Sequence, residues 1–435
     1  MEPDINPFIY GRPVSPSEFL GRKKELRRLF QLLVKRQSAA IVGPPNCGKT
    51  SLLAYVPKAE MPQFDFIPQI SQYIFSFLDA HGLHDIKTRA AFWEMALAPL
   101  ADLSHTVQAC NLSHLITEYY EDAQKNEFGT FWLQRLFKEL DASGSRFVLL
   151  LDEFDNILTH SLLNSAEFYG KLRTLAQHAE GFVLVIAARR DTEQLSERTQ
   201  PINPTGSPYF NTFVKIDLGV FSDQELSTLL DLAGGRFGRK DRKFVMELSG
   251  RHPYLAQAAA ASLWDAHEEG LRGTELHTAA AHSLRWQTTD HFADTWELWT
   301  EEARRAAAAV AFSQLPRQLG DHKFDTEGLM EGLADYVPEL RSLKANGLCA
   351  EVKPGEWAIT QHAFLWYLVD EIARTVRDKN NGFDGWLLKH KIEWSLTKEK
   401  RERIGEAAKG AWSFAGKGVT SFIEAFAKGL SGSDD

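Results

Sequence analysis

Five short apolar runs, separated by polar and amphipathic segments, organise the first half of the chain. The third and fourth, FVLLLD and GFVLVIAA, are apolar at nearly every position, which is typical of strands buried on both faces. The runs span residues 38–43, 72–78, 146–152, 181–188 and 212–218. Their pattern predicts a parallel sheet covered by helices, and hence an α/β domain over about 1–220.

Helical periodicity fills the intervals between these strands. The segment 21–35 repeats apolar residues at helical spacing, which predicts an amphipathic helix. Its apolar stripe comprises Leu26, Leu29, Phe30, Leu32 and Leu33.

Beyond about residue 219 the strand signals stop and a helical region begins. Ser222 and Glu225 form a capping-box pattern, and Gly234 with Gly235 ends the helix that follows. We expect a helical lid domain over 221–295. Over 296–378, helices are followed by CAEVKPGEWAIT and a further helix, the outline of a winged-helix domain.

Composition sets further limits. The 435 residues are 44% hydrophobic and 25% charged with a net charge of −9, a globular and mildly acidic balance that does not mark a dedicated nucleic-acid binder. Three cysteines without metal-ligand spacing argue against a disulfide framework or a structural zinc. With no leader-like start and no apolar run of about 18 residues, the expectation is a cytoplasmic protein that is neither secreted nor membrane-spanning.

The strongest chemical motif is GPPNCGKT, a complete GxxxxGK[ST] phosphate loop between a predicted strand and a predicted helix. In such a loop backbone N–H groups wrap phosphates, Lys49 reaches the β- and γ-oxygens, and the Thr50 hydroxyl binds Mg²⁺. ATP or ADP with Mg²⁺ is therefore the expected ligand. The residues assigned to it are Gly43, Pro44, Pro45, Asn46, Cys47, Gly48, Lys49, Thr50 and the adjacent Ser51.

A second motif, FVLLLDEFDNI, places acids at the end of the third strand. Asp152 is predicted to hold Mg²⁺ with Thr50, and Glu153 to orient and deprotonate an attacking water, which indicates hydrolysis as well as binding. Asp155 is interpreted as a helix-start or surface acid. At the end of the fourth strand, Arg189 and Arg190 have two open interpretations: one of them senses the γ-phosphate, or they form surface salt bridges.

These motifs, with FLGRKKEL near the N-terminus, AAR at strand four and SGRHPYL in the lid, resemble the AAA+-related ATPases of the origin-recognition-like and STAND groups. STAND proteins are signal-transduction ATPases, and the resemblance covers about residues 5–375. It implies that Phe19, Leu20 and Gly21 lie by the adenine, and that His252 and Pro253 lie beside the nucleotide.

Two short motifs depart from the family pattern and keep one residue each. The family's Thr-Thr-Arg is Ala-Ala-Arg here, which keeps only Arg189. Its Met-His-Asp is Gln-His-Ala, which keeps only His362. The resemblance implies that His362 faces the ADP β-phosphate, and a capping or core histidine is the alternative.

Charge argues against DNA reading by the predicted winged helix. Residues 296–375 contain 8 Lys and Arg against 13 Asp and Glu, whereas nucleic-acid readers concentrate positive charge. DNA is therefore an unfavoured partner, and internal packing against the ATPase module is the favoured role.

The C-terminal tail, 386–435, has a different composition. From residue 396 its apolar residues share one helical face flanked by lysines, and three interpretations remain: packing on this protein or a second copy, lying on a membrane surface, or binding a partner protein.

The resemblance leads to an ATP-binding and ATP-hydrolysing switch of STAND type as the expected function. Such a switch is locked with ADP, opened by nucleotide exchange and turned over slowly under regulation, with homo-oligomerisation on activation and a protein partner for sensing or output. Stress or phage-defence signalling is the implied context. The alternatives are a DNA-associated AAA+ ATPase of initiator or loader type and a module that holds nucleotide without turnover.

Overall fold

A computed structural model of the chain describes residues 5–59, 72–106, 111–318 and 332–377, with the short pieces 388–389 and 398–399. The predicted amphipathic tail lies outside these residues except for the two short pieces. The chain divides into two compact units. The sheet unit comprises 13–44 and 48–218, and the helical unit comprises the described parts of 1–12, 45–47 and 219–435.

Within its described residues, the sheet unit holds a five-stranded sheet of order β2-β3-β4-β1-β5 in which every paired strand is parallel. The strands are β1 (Ala39–Val42), β2 (Tyr73–Asp79), β3 (Arg146–Asp152), β4 (Phe182–Ala188) and β5 (Val214–Asp217). Each falls within or beside one of the five predicted runs, so the parallel α/β prediction is confirmed. The helices are α1 (Lys23–Val34), α2 (Lys49–Tyr55), α3 (Arg89–Ala96), α4 (Ala98–Thr106), α5 (Asn111–Lys125), α6 (Thr130–Ala142), α7 (Ala166–His178) and α8 (Thr192–Thr199).

Burial explains why these strands form. All residues of β1 and β4 and six of the seven in β3 are buried, as the nearly continuous apolar runs predict for a parallel sheet. The predicted stripe of α1 is buried at all five positions. Three aromatic rings join α6 to the sheet, with Phe137 centred 5.6 Å from Phe147 and 4.7 Å from Phe182. Burying a side chain of this size contributes about 2–3 kcal/mol, so this packing fixes the central strands that carry the site.

The helical unit begins with α9 (Asp223–Leu230), whose predicted capping box between Ser222 and Glu225 is present. There follow α10 (Arg239–Ser249), α11 (Pro253–Glu268), α12 (Gly273–Leu298), α13 (Glu301–Gln318), α14 (Val337–Ala345), the antiparallel pair β6 (Cys349–Lys353) and β7 (Glu356–Ile359), and α15 (His362–Arg377). The predicted hairpin and following helix are therefore present, while the winged-helix identity stays a prediction.

Two of the polar contacts between helix α12 and its neighbours join largely buried ionisable side chains. His277 Nε2 lies 2.7 Å from Asp241 Oδ1 on α10, and the Arg285 guanidinium donates two hydrogen bonds of 2.5 Å to Asp370 on α15. These four side chains are largely buried, so the contacts are shielded from water and set the register of three helices. In the described part of the chain, no helix is both long and apolar enough to cross a membrane.

Candidate functional site

The carboxyl ends of three neighbouring strands bring the predicted site residues of the sheet unit to one edge. β1 leads into the phosphate loop, β3 ends at Asp152 and Glu153, and β4 leads to Arg189. Parallel strands all end at the same side of a sheet, and ligands of open α/β sheets bind at that side. The sequence motifs are therefore gathered by topology.

The phosphate loop has the backbone that its sequence requires. Asn46 has φ 60° and Gly48 has φ 96°, both left-handed. A Cβ on Gly48 would meet no atom within 4 Å, so the glycine is needed for its backbone conformation and not for space. Asparagine is among the few other residues that adopt this conformation readily, which explains its presence at position 46.

Lys49 is buried and turned onto its own loop. Its Nζ donates hydrogen bonds of 2.9 Å to the carbonyl oxygens of Gly43 and Pro44. The Lys49 ammonium group thus lies against the phosphate loop. Phosphate oxygens bound by this loop would lie within its reach.

Two further loop residues have structural contacts. Cys47 is 1% exposed, consistent with a small packed loop residue. Ser51, in the first turn of α2, accepts a hydrogen bond of 3.1 Å from the backbone N–H of Val14. Its hydroxyl therefore anchors the N-terminal segment of the sheet unit to α2.

The predicted metal ligands are brought into contact. The Asp152 carboxylate is 1% exposed and lies beside the Thr50 side chain. Burial raises the pKa of Asp152, and the neighbouring Glu153 and Asp79 carboxylates act in the same direction. A hydroxyl beside a buried carboxylate is an oxygen donor set that suits Mg²⁺, and a cation there would offset the burial of negative charge.

Glu153 lies at a constrained point directly after β3. Its φ of 46° is left-handed, and its backbone N–H donates to the Asp152 side chain at 2.9 Å. Its carboxylate Oε2 is 3.1 Å from Arg189 Nη2. The predicted water-activating acid and the predicted phosphate-sensing arginine are therefore an ion pair.

Asp155 has a larger role than the sequence indicated. Its carboxylate accepts a hydrogen bond of 2.6 Å from the Arg189 backbone N–H and one of 2.7 Å from the Arg190 guanidinium. Asp155 lies in the first turn of a short 3₁₀ helix, Phe154–Thr159, as the helix-start interpretation expected. At 10% side-chain exposure it is not a surface acid, and it binds the end of β4 to the segment after β3. No motif marks this position, because an acid two residues after Glu153 has many ordinary uses.

The FLGR segment precedes α1 in the sheet unit. The Phe19 ring stacks on Tyr55 of α2 at 4.6 Å between centroids. Leu20 and Gly21 lead to Arg22, which is left-handed with φ 58° and 3% exposed, within 3.6 Å of Glu25. The segment is thus a packed turn, and its contact with adenine stays a prediction.

In the helical unit, the predicted lid turn packs against the segment after the hairpin. Gly250 has φ 54°, and a Cβ there would lie 2.7 Å from both the Gly347 carbonyl oxygen and the Gln361 side chain. His252 caps the start of α11, and Pro253 is the first residue of that helix. The structure therefore brings SGRHPYL next to Gln361 and the start of α15.

His362 is the first residue of α15. Burial lowers its pKa to about 4, so the imidazole is neutral at physiological pH. A neutral imidazole can donate one hydrogen bond to an anion, and the predicted role toward a β-phosphate stays a prediction.

A histidine that the sequence analysis did not single out contacts the tip of the phosphate loop. Asn46 Nδ2 is 3.1 Å from Nδ1 of His291, and both residues belong to the helical unit. His291 lies in the long helix α12 and is 7% exposed. Nothing in the local sequence distinguishes it from an ordinary core histidine.

The topology, the loop and the acids at the end of β3 define a P-loop ATPase fold of AAA+ type. The AAA-like domain family matches residues 19–298, more than half of the chain, and the chain belongs to that family. The resemblance to AAA+-related ATPases is thereby confirmed over residues 19–298.

One solved structure supports the fold, and a second is reported for its similarity alone. A Walker-type ATPase of Pyrococcus abyssi is similar with a TM-score of 0.51 and 13% identity, over 82% of this chain and 98% of that one. The ORC2 protein of Aeropyrum pernix, solved as ADPNP–ADP complexes, has a TM-score of 0.48 and 15% identity over 82% and 95% of the two chains. No curated protein sequence matches the chain.

Proposed function

We propose that this protein is an ATP-binding and ATP-hydrolysing switch of STAND type, held in an ADP state and opened by exchange of ADP for ATP. One observation carries the ATPase part: Lys49, Thr50, Asp152 and Glu153, predicted separately from two motifs, lie at one edge of one sheet, with Thr50 beside Asp152.

Each residue has a defined chemical task in this proposal. Lys49 and the loop N–H groups bind the β- and γ-phosphates, and Thr50 with Asp152 holds Mg²⁺. When bound, Mg²⁺ neutralises the charge that develops on the phosphates. Glu153 orients the attacking water and accepts its proton, and Arg189 stabilises the γ-phosphate.

The Glu153–Arg189 ion pair supports slow, regulated turnover. While the Glu153 carboxylate bonds to Arg189, one of its oxygens is occupied by the guanidinium. The two side chains must separate before each performs its task. A trigger that favours the separated arrangement would accelerate hydrolysis.

The contact of Gly250 with Gln361 supports the switch part of the proposal. Both the lid turn and the segment leading to His362 belong to the helical unit, so a rearrangement of either displaces the other. To move such an equilibrium from 1:99 to 99:1, a ligand needs about 5.5 kcal/mol of differential binding. Nucleotide exchange together with a partner protein is the proposed source, and homo-oligomerisation is the proposed consequence.

The nucleotide carried by the purified full-length protein tests this function. After denaturation, chromatography should release ADP in near-equimolar amount, and the intact protein should exchange it slowly. Lys49→Ala should carry none. Glu153→Gln should retain bound ATP while its turnover falls by about 10²–10⁴-fold.

Other outcomes would point elsewhere. An empty protein that turns over ATP freely, with stimulation by duplex DNA that fades steeply with salt, would favour the DNA-associated class. Unchanged turnover and exchange in Glu153→Gln would contradict the switch mechanism.

A further inference from the structure

The tip of the phosphate loop has a contact that the proposed mechanism does not use. Asn46 Nδ2 faces Nδ1 of His291 at 3.1 Å. Because an amide nitrogen donates and does not accept, Nδ1 is the acceptor and the ring proton lies on Nε2. The contact is thus a hydrogen bond from the loop to a neutral imidazole of α12.

His291 is held in place by aromatic neighbours of the helical unit. Its ring lies 4.8 Å from that of Tyr254 and 5.2 Å from that of His252. Tyr254 in turn donates a hydrogen bond of 3.0 Å to the Gln287 carbonyl oxygen of α12. Burial lowers the pKa of His291 to about 4, so its Nδ1 lone pair is available throughout the physiological range. The acceptor is therefore both oriented and permanently present.

Asn46 is the residue of the loop that needs such an acceptor. Its φ of 60° is left-handed, a region that residues other than glycine occupy at a cost. The hydrogen bond to His291 forms when Asn46 has this backbone conformation and its side chain is directed at the imidazole. The bond therefore stabilises the left-handed conformation. Lys49 is three residues further along, so the same conformation sets where the loop presents its N–H groups.

We infer that His291 is a positioning residue of the phosphate loop: by accepting the Asn46 hydrogen bond it fixes the loop tip in its phosphate-receiving conformation and couples α12 to nucleotide occupancy. Because the phosphates concerned are those of the proposed ATP site, this role rests on the proposed function.

Two substitutions at one position separate the hydrogen bond from the packing. His291→Phe keeps a ring against Tyr254 and loses the acceptor, whereas His291→Asn keeps an acceptor near the Nδ1 position and loses the ring. We expect ADP to dissociate from His291→Phe about fivefold faster than from the wild type, the effect of one net hydrogen bond, and from His291→Asn within about twofold of the wild type. Stopped-flow release of a fluorescent ADP analogue measures both.

A nucleotide-free readout reports on the same loop tip. Cys47 adjoins Asn46 and is 1% exposed, so an alkylating reagent reaches it only when the tip opens. Mass spectrometry of the Cys47 peptide should show faster alkylation in His291→Phe and little change in His291→Asn. Thr289→Ala is the control, since the Thr289 hydroxyl donates to the Arg285 carbonyl oxygen of its own helix, and it should behave as wild type in both assays.

A double-mutant cycle tests the route through Asn46. Glycine at position 46 removes the side-chain hydrogen bond, so adding His291→Phe to Asn46→Gly should change ADP release no further. An equal acceleration in the Asn46→Gly background would overturn the route through the loop tip. Wild-type rates in both His291 variants would overturn the positioning role itself.

The proposed function and the His291 role fail separately. If Lys49→Ala retained ADP as well as the wild type, the ATP site would be wrong, and the alkylation pattern would still decide whether His291 holds the loop tip. If Lys49→Ala lost ADP and His291→Phe matched the wild type in both assays, only the His291 role would fall.

Discussion

Arg189 of the β4 end and Glu153 of the β3 end form an ion pair of 3.1 Å between Nη2 and Oε2. Asp155 stabilises this arrangement by accepting the Arg189 backbone N–H at 2.6 Å. The residue proposed to deprotonate water and the residue proposed to bind the γ-phosphate are therefore bonded to each other. In the proposed mechanism, the two side chains must separate before hydrolysis.

Replacing Arg189 by Ala is expected to lower ATP turnover by at least about tenfold, because loss of the γ-phosphate contact outweighs release of Glu153. Steady-state phosphate release and equilibrium ATP binding measure this, with binding changed only a few-fold. Arg190→Ala is the matched control, since that guanidinium bonds to Asp155 and not to Glu153. Faster turnover in Arg189→Ala would show that the ion pair only inhibits.

Replacing Asp152 by Asn is expected to stabilise the nucleotide-free protein by an amount on the order of 1 kcal/mol while weakening Mg²⁺-dependent nucleotide binding more than tenfold. The buried carboxylate has a raised pKa, so its charge is unfavourable in the folded protein, and an amide oxygen still accepts the hydrogen bond from the Glu153 backbone N–H. Denaturant unfolding and binding titrations with and without Mg²⁺ measure the two effects. Asp217→Asn, at the exposed end of β5, is the control and should leave both quantities unchanged, and a less stable Asp152→Asn would contradict the expectation.

Replacing Gly250 by Ala is expected to lower the free energy of unfolding by roughly 2 kcal/mol or more, because the left-handed backbone is strained by a Cβ that also meets Gly347 O and Gln361 at 2.7 Å. Gly234→Ala separates these causes, since Gly234 has φ 58° and its added Cβ would meet nothing within 4 Å. Denaturant unfolding should show a clearly smaller loss for Gly234→Ala. Equal losses would mean that the contact with Gln361 contributes nothing.

Acid is expected to destabilise the helical unit between about pH 6.5 and pH 4. His291 and His362 have pKa values of about 4 in the folded protein against about 6.5 unfolded, so the unfolded chain binds more protons in this window. The free energy of unfolding therefore has its full value above pH 6.5. It decreases as the pH falls, by about 3 kcal/mol per histidine at most. Unfolding titrations at pH 7.5, 6 and 5 measure this. In His291→Asn and His362→Asn the pH dependence should be weaker, and an unchanged slope would contradict the assignment.

The sheet could be predicted because its strands are buried on both faces. Such burial requires apolar residues at nearly every position, as in β3 and β4. The sequence also predicted Lys49, Thr50, Asp152 and Glu153 because phosphate binding imposes fixed spacing within a short segment. The contacts of Asp155 and the position of His291 were not predicted, for the opposite reason. Their partners, Arg190 and Asn46, are brought to them by tertiary packing, and neither residue type nor local spacing records that.

The contact of Arg285 with Asp370 was likewise invisible in the sequence, since the two residues are far apart along the chain and each is common on helix surfaces. The assignments of Phe19 to adenine and of His362 to the β-phosphate rest on family resemblance and stay predictions.

Three side chains of helix α12 form hydrogen bonds with three different segments. His277 bonds to Asp241, Arg285 to Asp370, and His291 to Asn46. His277 and His291 are about 21 Å apart along the helix axis. A continuous helix bends little over that distance, so the three contacts lie on one rigid element. A shift of α12 at one contact therefore displaces the helix at the other two. Substitutions at the three positions should then combine non-additively despite their separation.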